Sequence, residues 1–69
     1  MRLNVFKIKL ILADREMTRA ALAEQCGLSR QNISTILTRG TCEPKTLGKL
    51  AKGLGVNIRE IAKEENENA

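Results

Sequence analysis

The chain has 69 residues, 42% of them apolar, and a formal net charge of +4. That length fits one domain, and a domain so small buries only about 60% of its unfolded surface, so its elements must pack closely. No stretch approaches the roughly 20 apolar residues of a membrane span, and the longest apolar run, Leu10–Ala13, is too short for a signal-peptide core; a cytoplasmic location and no membrane partner are expected.

Stop and start signals divide the chain into five predicted helices. The first covers about Asn4 to Arg15. Val5, Ile8, Ile11 and Leu12 share one face, while Leu3, Phe6 and Leu10 form a second stripe at helical spacing. Phe6, Ile8, Leu10 and Leu12 also alternate as a strand would, but the length and the lack of turn residues favour a helix. A helix apolar on two faces needs two neighbours. The expected second neighbour is the C-terminal segment with Val56, Ile58 and Ile61, and a dimer contact is the alternative.

Thr18 opens the second helix as its N-cap, with Ala21, Leu22 and Cys26 inward and the small Ala23 beside them. Gly27 supplies the left-handed residue that closes it. Ser29 caps a third helix after a short turn, with Ile33, Ile36 and Leu37 inward, and Gly40 ends it. Pro44 suits the first position of a fourth helix running to Leu54, whereas Glu43 before it is a poor cap by side-chain geometry. Gly48 and Gly53 weaken that helix by about 1 kcal/mol each relative to Ala, which implies close packing at both. Gly55 closes it, and Asn57 caps a short fifth helix to about Ala62. The domain is assigned to residues 1–63, and 64–69 to a frayed acidic tail.

Charge is unevenly spread along these elements. Met17 to Gly55 carry six basic and two acidic residues, and Val56 to Ala69 two basic and four acidic. A basic middle suits a polyanionic partner. With two cysteines and no His, the chain cannot complete a Cys/His zinc site from its own ligands, and a disulfide framework does not fit the cytosol. Cys26 reads as core and Cys42 as a bystander thiol in a polar loop. No cofactor and no small-molecule ligand are expected. One Asp, no His and no Tyr argue against an enzyme, and a single aromatic residue, Phe6, provides no stacking platform for RNA.

The second and third helices around Gly27 form a helix-turn-helix pattern. At about 100° per residue, Gln31, Thr35 and Thr38 point away from Ile33, Ile36 and Leu37, with Ser34 and Asn32 on the flanks. Arg30 lies nearer the buried side but in the first turn, where a long side chain reaches past the helix end. A generic solvated face mixes both signs of charge, yet this helix has no Asp or Glu. Gln31 is suited to adenine, Arg30 to guanine, and Ser or Thr to either base or the thymine methyl.

The stretch "IKLILADREMTRAALAEQCGLSRQNISTIL" with "EPKTLGKLAKGLGVNIREIA" resembles the Cro/C1-type (XRE, lambda-repressor-like) helix-turn-helix family over about residues 4–62. The resemblance implies an all-α, compact five-helix domain that binds double-stranded operator DNA, usually as a homodimer. By matched position it implies base reading by Ser29, Arg30, Gln31, Ser34 and Thr35. It implies phosphate contacts by Thr18 and Arg19, and by a second set of Arg39, Thr41 and Lys45. Arg19 stands where Gln is frequent, and Glu43 where a Ser cap is frequent. Glu16 replaces a common Gly before Met17, which implies only a different turn. The expected function is a sequence-specific transcriptional regulator, a repressor. The alternative is a protein-interaction module or antitoxin-like partner that reuses the fold through Leu3, Phe6, Leu10 and the acidic tail.

Overall fold

The computed structural model describes residues 1–63; the acidic tail expected at 64–69 lies outside the described residues. The described residues form an all-α fold with five helices: α1 (Val5–Asp14), α2 (Arg19–Cys26), α3 (Arg30–Arg39), α4 (Pro44–Leu54) and α5 (Ile58–Ile61). No described helix is long and apolar enough to cross a membrane.

Local chemistry sets most boundaries. The side chains of Asn4, Thr18 and Ser29 accept hydrogen bonds from the backbone N–H groups of Lys7, Ala21 and Asn32, each at 3.0 Å. Each removes one of the orphan donors at a helix start. Asn57 and Glu60 form a reciprocal capping box on α5, which helps so short a helix to persist. Gly27, Gly40 and Gly55 close α2, α3 and α4 at φ of 72–73°, the left-handed conformation that glycine adopts without penalty. Glu43 makes no side-chain cap at the start of α4. One closure is supplied from a distance. The Arg15 guanidinium donates to the Leu54 carbonyl at the end of α4, where a cation also meets the negative end of the helix dipole.

The core is one cluster. Ile8, Leu22, Ile33, Leu47, Leu50, Leu54 and Ile61 are fully buried, and Leu3, Leu12, Ala23, Cys26, Ile36, Leu37 and Ala51 nearly so. α2 packs on both α3 and α4, and α5 on α4 and α1. Close approach between α2 and α4 depends on Gly53: a β-carbon there would lie 2.5 Å from Cys26 Sγ. Gly48 has no such role, since a β-carbon there would meet nothing within 4 Å; close packing was expected at both glycines and holds at one.

One further expectation needs correction. The second stripe of α1 is not covered by the C-terminal segment. Leu3 precedes the helix and is buried, but Phe6 is 73% exposed and Leu10 53%. α5 is only four residues long, so it buries Ile61 and leaves Ile58 at the surface. In the turn before α2, Glu16 adopts a left-handed φ of 52°, a conformation that a β-carbon makes costly.

A small backbone ladder with no local sequence signal joins residues 1–3 to residues 40–42 and 61–63. Residues 1–3 run extended between residues 40–42 on one side and 61–63 on the other. Arg2 opposes Thr41, and Leu3 opposes Ala62, in antiparallel bridges. Leu3 N–H donates to the Gly40 carbonyl at 2.9 Å and Cys42 N–H to the Met1 carbonyl at 3.0 Å. Across the other edge, Asn4 N–H donates to Ile61 at 2.8 Å and Lys63 N–H to Arg2 at 3.0 Å. The loop after α3 is thereby held from outside.

Candidate nucleic-acid interface

The corner Gly27-Leu28-Ser29 joins α2 to α3 with one left-handed residue and one cap. Leu28 N–H donates to the Ala23 carbonyl at 2.9 Å, so the chain turns back against the helix it has just left. With Ala23 only 4% exposed, its methyl group leaves room for α3 to approach α2. Ile33, Ile36 and Leu37 anchor α3 in the core.

That anchoring fixes which residues α3 presents. Arg30, Gln31, Asn32, Thr35, Thr38 and Arg39 are exposed, and Ser34 is half-buried. A shallow hollow of about 260 Å³ runs along the helix between Gln31, Ser34, Thr35, Thr38 and Arg39. A larger cleft of about 570 Å³ lies between α3 and the start of α4, bordered by Asn32, Thr35, Arg39, Thr41, Glu43 and Thr46 among others. Thr35 and Arg39 border both. The helix face is thus hydroxyl- and amide-bearing, carries no carboxylate, and has a guanidinium at its C-terminal end.

The structure gathers part of the expected set around these hollows. Gln31, Ser34, Thr35, Arg39 and Thr41 border them. Thr18, Arg19, Ser29, Arg30 and Lys45 border neither, and all five are exposed. Thr18 and Arg19 stand at the start of α2, Ser29 and Arg30 at the start of α3, and Lys45 in the first turn of α4. Thr18 and Ser29 already accept cap bonds through their hydroxyl oxygens. A hydroxyl has one proton to donate as well as lone pairs to accept, so capping leaves each able to donate to a phosphate or a base.

Asn32 was set aside as a flank residue, yet it borders the larger cleft with Thr35 and Arg39. The signal was available: positions 32, 35 and 39 recur at i, i+3 and i+7 and share one helical stripe. Thr46, in the first turn of α4, carried no comparable mark.

The cleft's charge is mixed at one point. Glu43 borders it and opposes an anionic partner there. Cys42 also borders it, half-buried. Burial pushes its thiol pKa up and Glu43 adds to that, while the N-terminal ammonium pulls the other way. The thiol is therefore neutral near pH 7 and contributes no second negative charge. Cys26, buried in the core, is also pushed up by desolvation.

A family model described as the Cro/C1-type HTH DNA-binding domain matches residues 7–67. The match includes both helices of the corner, α4, α5 and the loop that bears Thr41. No curated protein matches the chain, and no solved structure does.

Proposed function

We propose that this chain, which belongs to the Cro/C1-type helix-turn-helix DNA-binding domain family, is a sequence-specific transcriptional regulator that represses by occupying operator DNA. The family makes it a DNA-binding domain. The reading of base sequence and the repressor role are the further steps. The observation that carries them is the face of α3, anchored by three buried aliphatic residues and presenting an acid-free row of Gln31, Ser34, Thr35 and Thr38.

A B-DNA major groove admits one helix, whose N-terminal part normally meets the bases. Gln31 then reads adenine through its amide, Arg30 reads guanine, and Ser29, Ser34 and Thr35 serve as hydroxyl and methyl contacts. Thr18 and Arg19 bind one stretch of phosphates, and Arg39, Thr41 and Lys45 another. These contacts fix register without reading sequence. A single copy of so small a domain covers little DNA, so useful affinity calls for a homodimer on half-sites about 34–36 Å apart.

One observation favours a protein contact in addition to DNA: Phe6 and Leu10 on α1 remain largely exposed. A second copy is the partner that a two-fold operator requires, and this reading gives that surface to it. An antitoxin-like protein partner on the same surface is the competing assignment.

The test is selection from a random duplex pool, comparing wild type with Gln31→Ala and Arg19→Ala across a salt series. The expected result is a two-fold-symmetric site. Gln31→Ala should relax base preference at one position per half-site, and Arg19→Ala should lower the salt slope by about 0.9 for each lost phosphate contact. Absence of enrichment, with no binding even at low salt, would sink the reading and turn the search to protein partners of α1.

A further inference from the structure

The open face of α1 carries charges that complement a second copy of itself. We infer that two copies of the chain pair through α1 in antiparallel register, about a two-fold axis between Leu10 and Ile11, with Lys7 of each copy against Asp14 of the other. This pairing rests on the reading above that gives the face to a second copy, and adds its orientation, its register and its charge pairs.

Helical geometry defines the face. Ile8 and Leu12 are buried, whereas Phe6 is 73% exposed and Leu10 53%. Lys7, Lys9, Ala13 and Asp14 are exposed as well. At about 100° per residue, Phe6, Leu10 and Ala13 fall within about 60° of arc and form one apolar stripe. Lys7 and Asp14 lie about 20° apart on one flank of it, about two turns or 10 Å from each other along the axis. Lys9 lies on the other flank.

Charge sets the orientation. α1 has no acidic residue in its first turn and no basic residue in its last. Lys7 stands near the start of the helix and Asp14 is its last residue, so each meets the end of the helix dipole that disfavours its charge. An antiparallel second helix brings Asp14 to the first end and Lys7 to the last, which offsets both. A two-fold contact is self-complementary, so each flank faces the same flank of the second copy and both Lys7–Asp14 pairs form together. The same axis sets Leu10 beside Leu10 of the second copy and Phe6 over the small Ala13 of the second copy, large against small. Lys9 meets Lys9 on the other flank, where the flexible stems let both ammonium groups turn into water. A single pair of helices about 15 Å long buries less than the about 1,200 Å² of a stable complex. Association is therefore weak in solution and is completed on a two-fold operator.

The test is sedimentation equilibrium of the full chain without DNA, at concentrations up to about 1 mM. It compares wild type, Lys7→Glu, Asp14→Lys, the double variant, and an equimolar mixture of the two single variants. Wild type should show a reversible monomer–dimer equilibrium. Each single swap turns two attractive pairs into two repulsive ones and should weaken association by about tenfold. The double variant should restore it. The mixture should also associate, because one variant then carries two carboxylates on the flank and the other two ammonium groups. Both swaps suit the helix dipole, so circular-dichroism melts should show no loss of fold. A wild type that stays monomeric, single swaps that associate as wild type does, or swaps rescued by neither the double variant nor the mixture overturns this pairing. Duplex selection judges the DNA reading separately: a two-fold site enriched by the wild type leaves that reading standing even where the swaps fail, and charge-swap rescue with no duplex binding overturns that reading alone.

Discussion

The two glycines inside α4 should respond to alanine with opposite signs. In a helix interior, Gly→Ala is worth up to about 1 kcal/mol of added stability. At Gly48 nothing lies within 4 Å of a new β-carbon, so Gly48→Ala should realise most of that gain. At Gly53 the same methyl group would sit 2.5 Å from Cys26 Sγ and 3.3 Å from the Cys26 nitrogen. The first contact is closer than real β-carbons tolerate, and the second is to backbone, which cannot swing aside. Overpacking of a tight core costs about 1–3 kcal/mol, so Gly53→Ala should lose about 1 kcal/mol after the helical gain is counted. The two variants then differ by about 2 kcal/mol, and at about 4–8 °C per kcal/mol in a domain of this size their melting points separate by about 10 °C. Circular-dichroism melts read this directly. Adding Cys26→Ala to Gly53→Ala removes the sulfur from the clash, and the double variant should be more stable than the two single changes sum to, by about 1 kcal/mol. If Gly53→Ala melts as high as Gly48→Ala, the close approach of α2 and α4 is wrong.

Three other perturbations follow from single features. Glu43→Ser gives α4 the side-chain cap it lacks and should add about 1 kcal/mol in urea titrations; it also removes a negative charge from the cleft, so DNA affinity should rise, and a loss of affinity would place Glu43 among the useful contacts. Glu16→Gly relieves the left-handed backbone at φ 52° and should stabilise by about 0.5–1 kcal/mol, because the αL penalty of about 1–2 kcal/mol exceeds part of the extra chain entropy of glycine; a lower melting point would contradict this. Burial raises the pKa of both cysteine thiols above the ordinary thiol value in the folded state. Between the unfolded and folded values the native state holds more protons, so stability should fall as pH rises past about 9; melts between pH 8 and 10.5 should show a fall that is smaller in Cys26→Ala, and equal slopes in the two proteins would refute it.

The helices were legible in the sequence because their signals are local. Thr18, Ser29 and Asn57 are cap residues that accept from N–H donors two or three residues away, and Gly27, Gly40 and Gly55 each mark a stop that needs no knowledge of the rest of the chain. The inward face of α3 followed from the spacing of Ile33, Ile36 and Leu37 alone. What escaped was non-local. Three-residue extended segments are too short to show a period of two, so nothing in residues 1–3 announced their pairing with residues 40–42 and 61–63. The Arg15 bond to Leu54 joins positions 39 residues apart. Covering the second stripe of α1 with the C-terminal segment assumed that every apolar stripe finds an internal neighbour, and α5 is too short to be one for Phe6. The outward face of α3 was read well, but its sharing of a cleft with the loop after it depends on how α4 sits, which periodicity within α3 does not contain.

The departures from local rules differ in kind, and the difference bears on function. A sequence that specifies one fold is expected to break such rules mainly where function or strain demands it. Phe6 and Leu10 break the burial pattern at the surface, and no internal packing is lost by their exposure. This is the surface proposed above to meet a second copy. Glu43 makes no side-chain cap at the N-terminus of α4, although its charge suits the helix dipole there, and it borders the cleft where an anion is proposed to bind. On that proposal its charge opposes phosphate and limits how tightly the domain holds DNA irrespective of sequence. Non-specific affinity comes almost entirely from phosphate contacts, whereas the α3 face acts only on the matched site. Lowering the first while keeping the second raises discrimination, so under the proposed reading Glu43→Ser should raise non-specific affinity more than it raises affinity for the matched site.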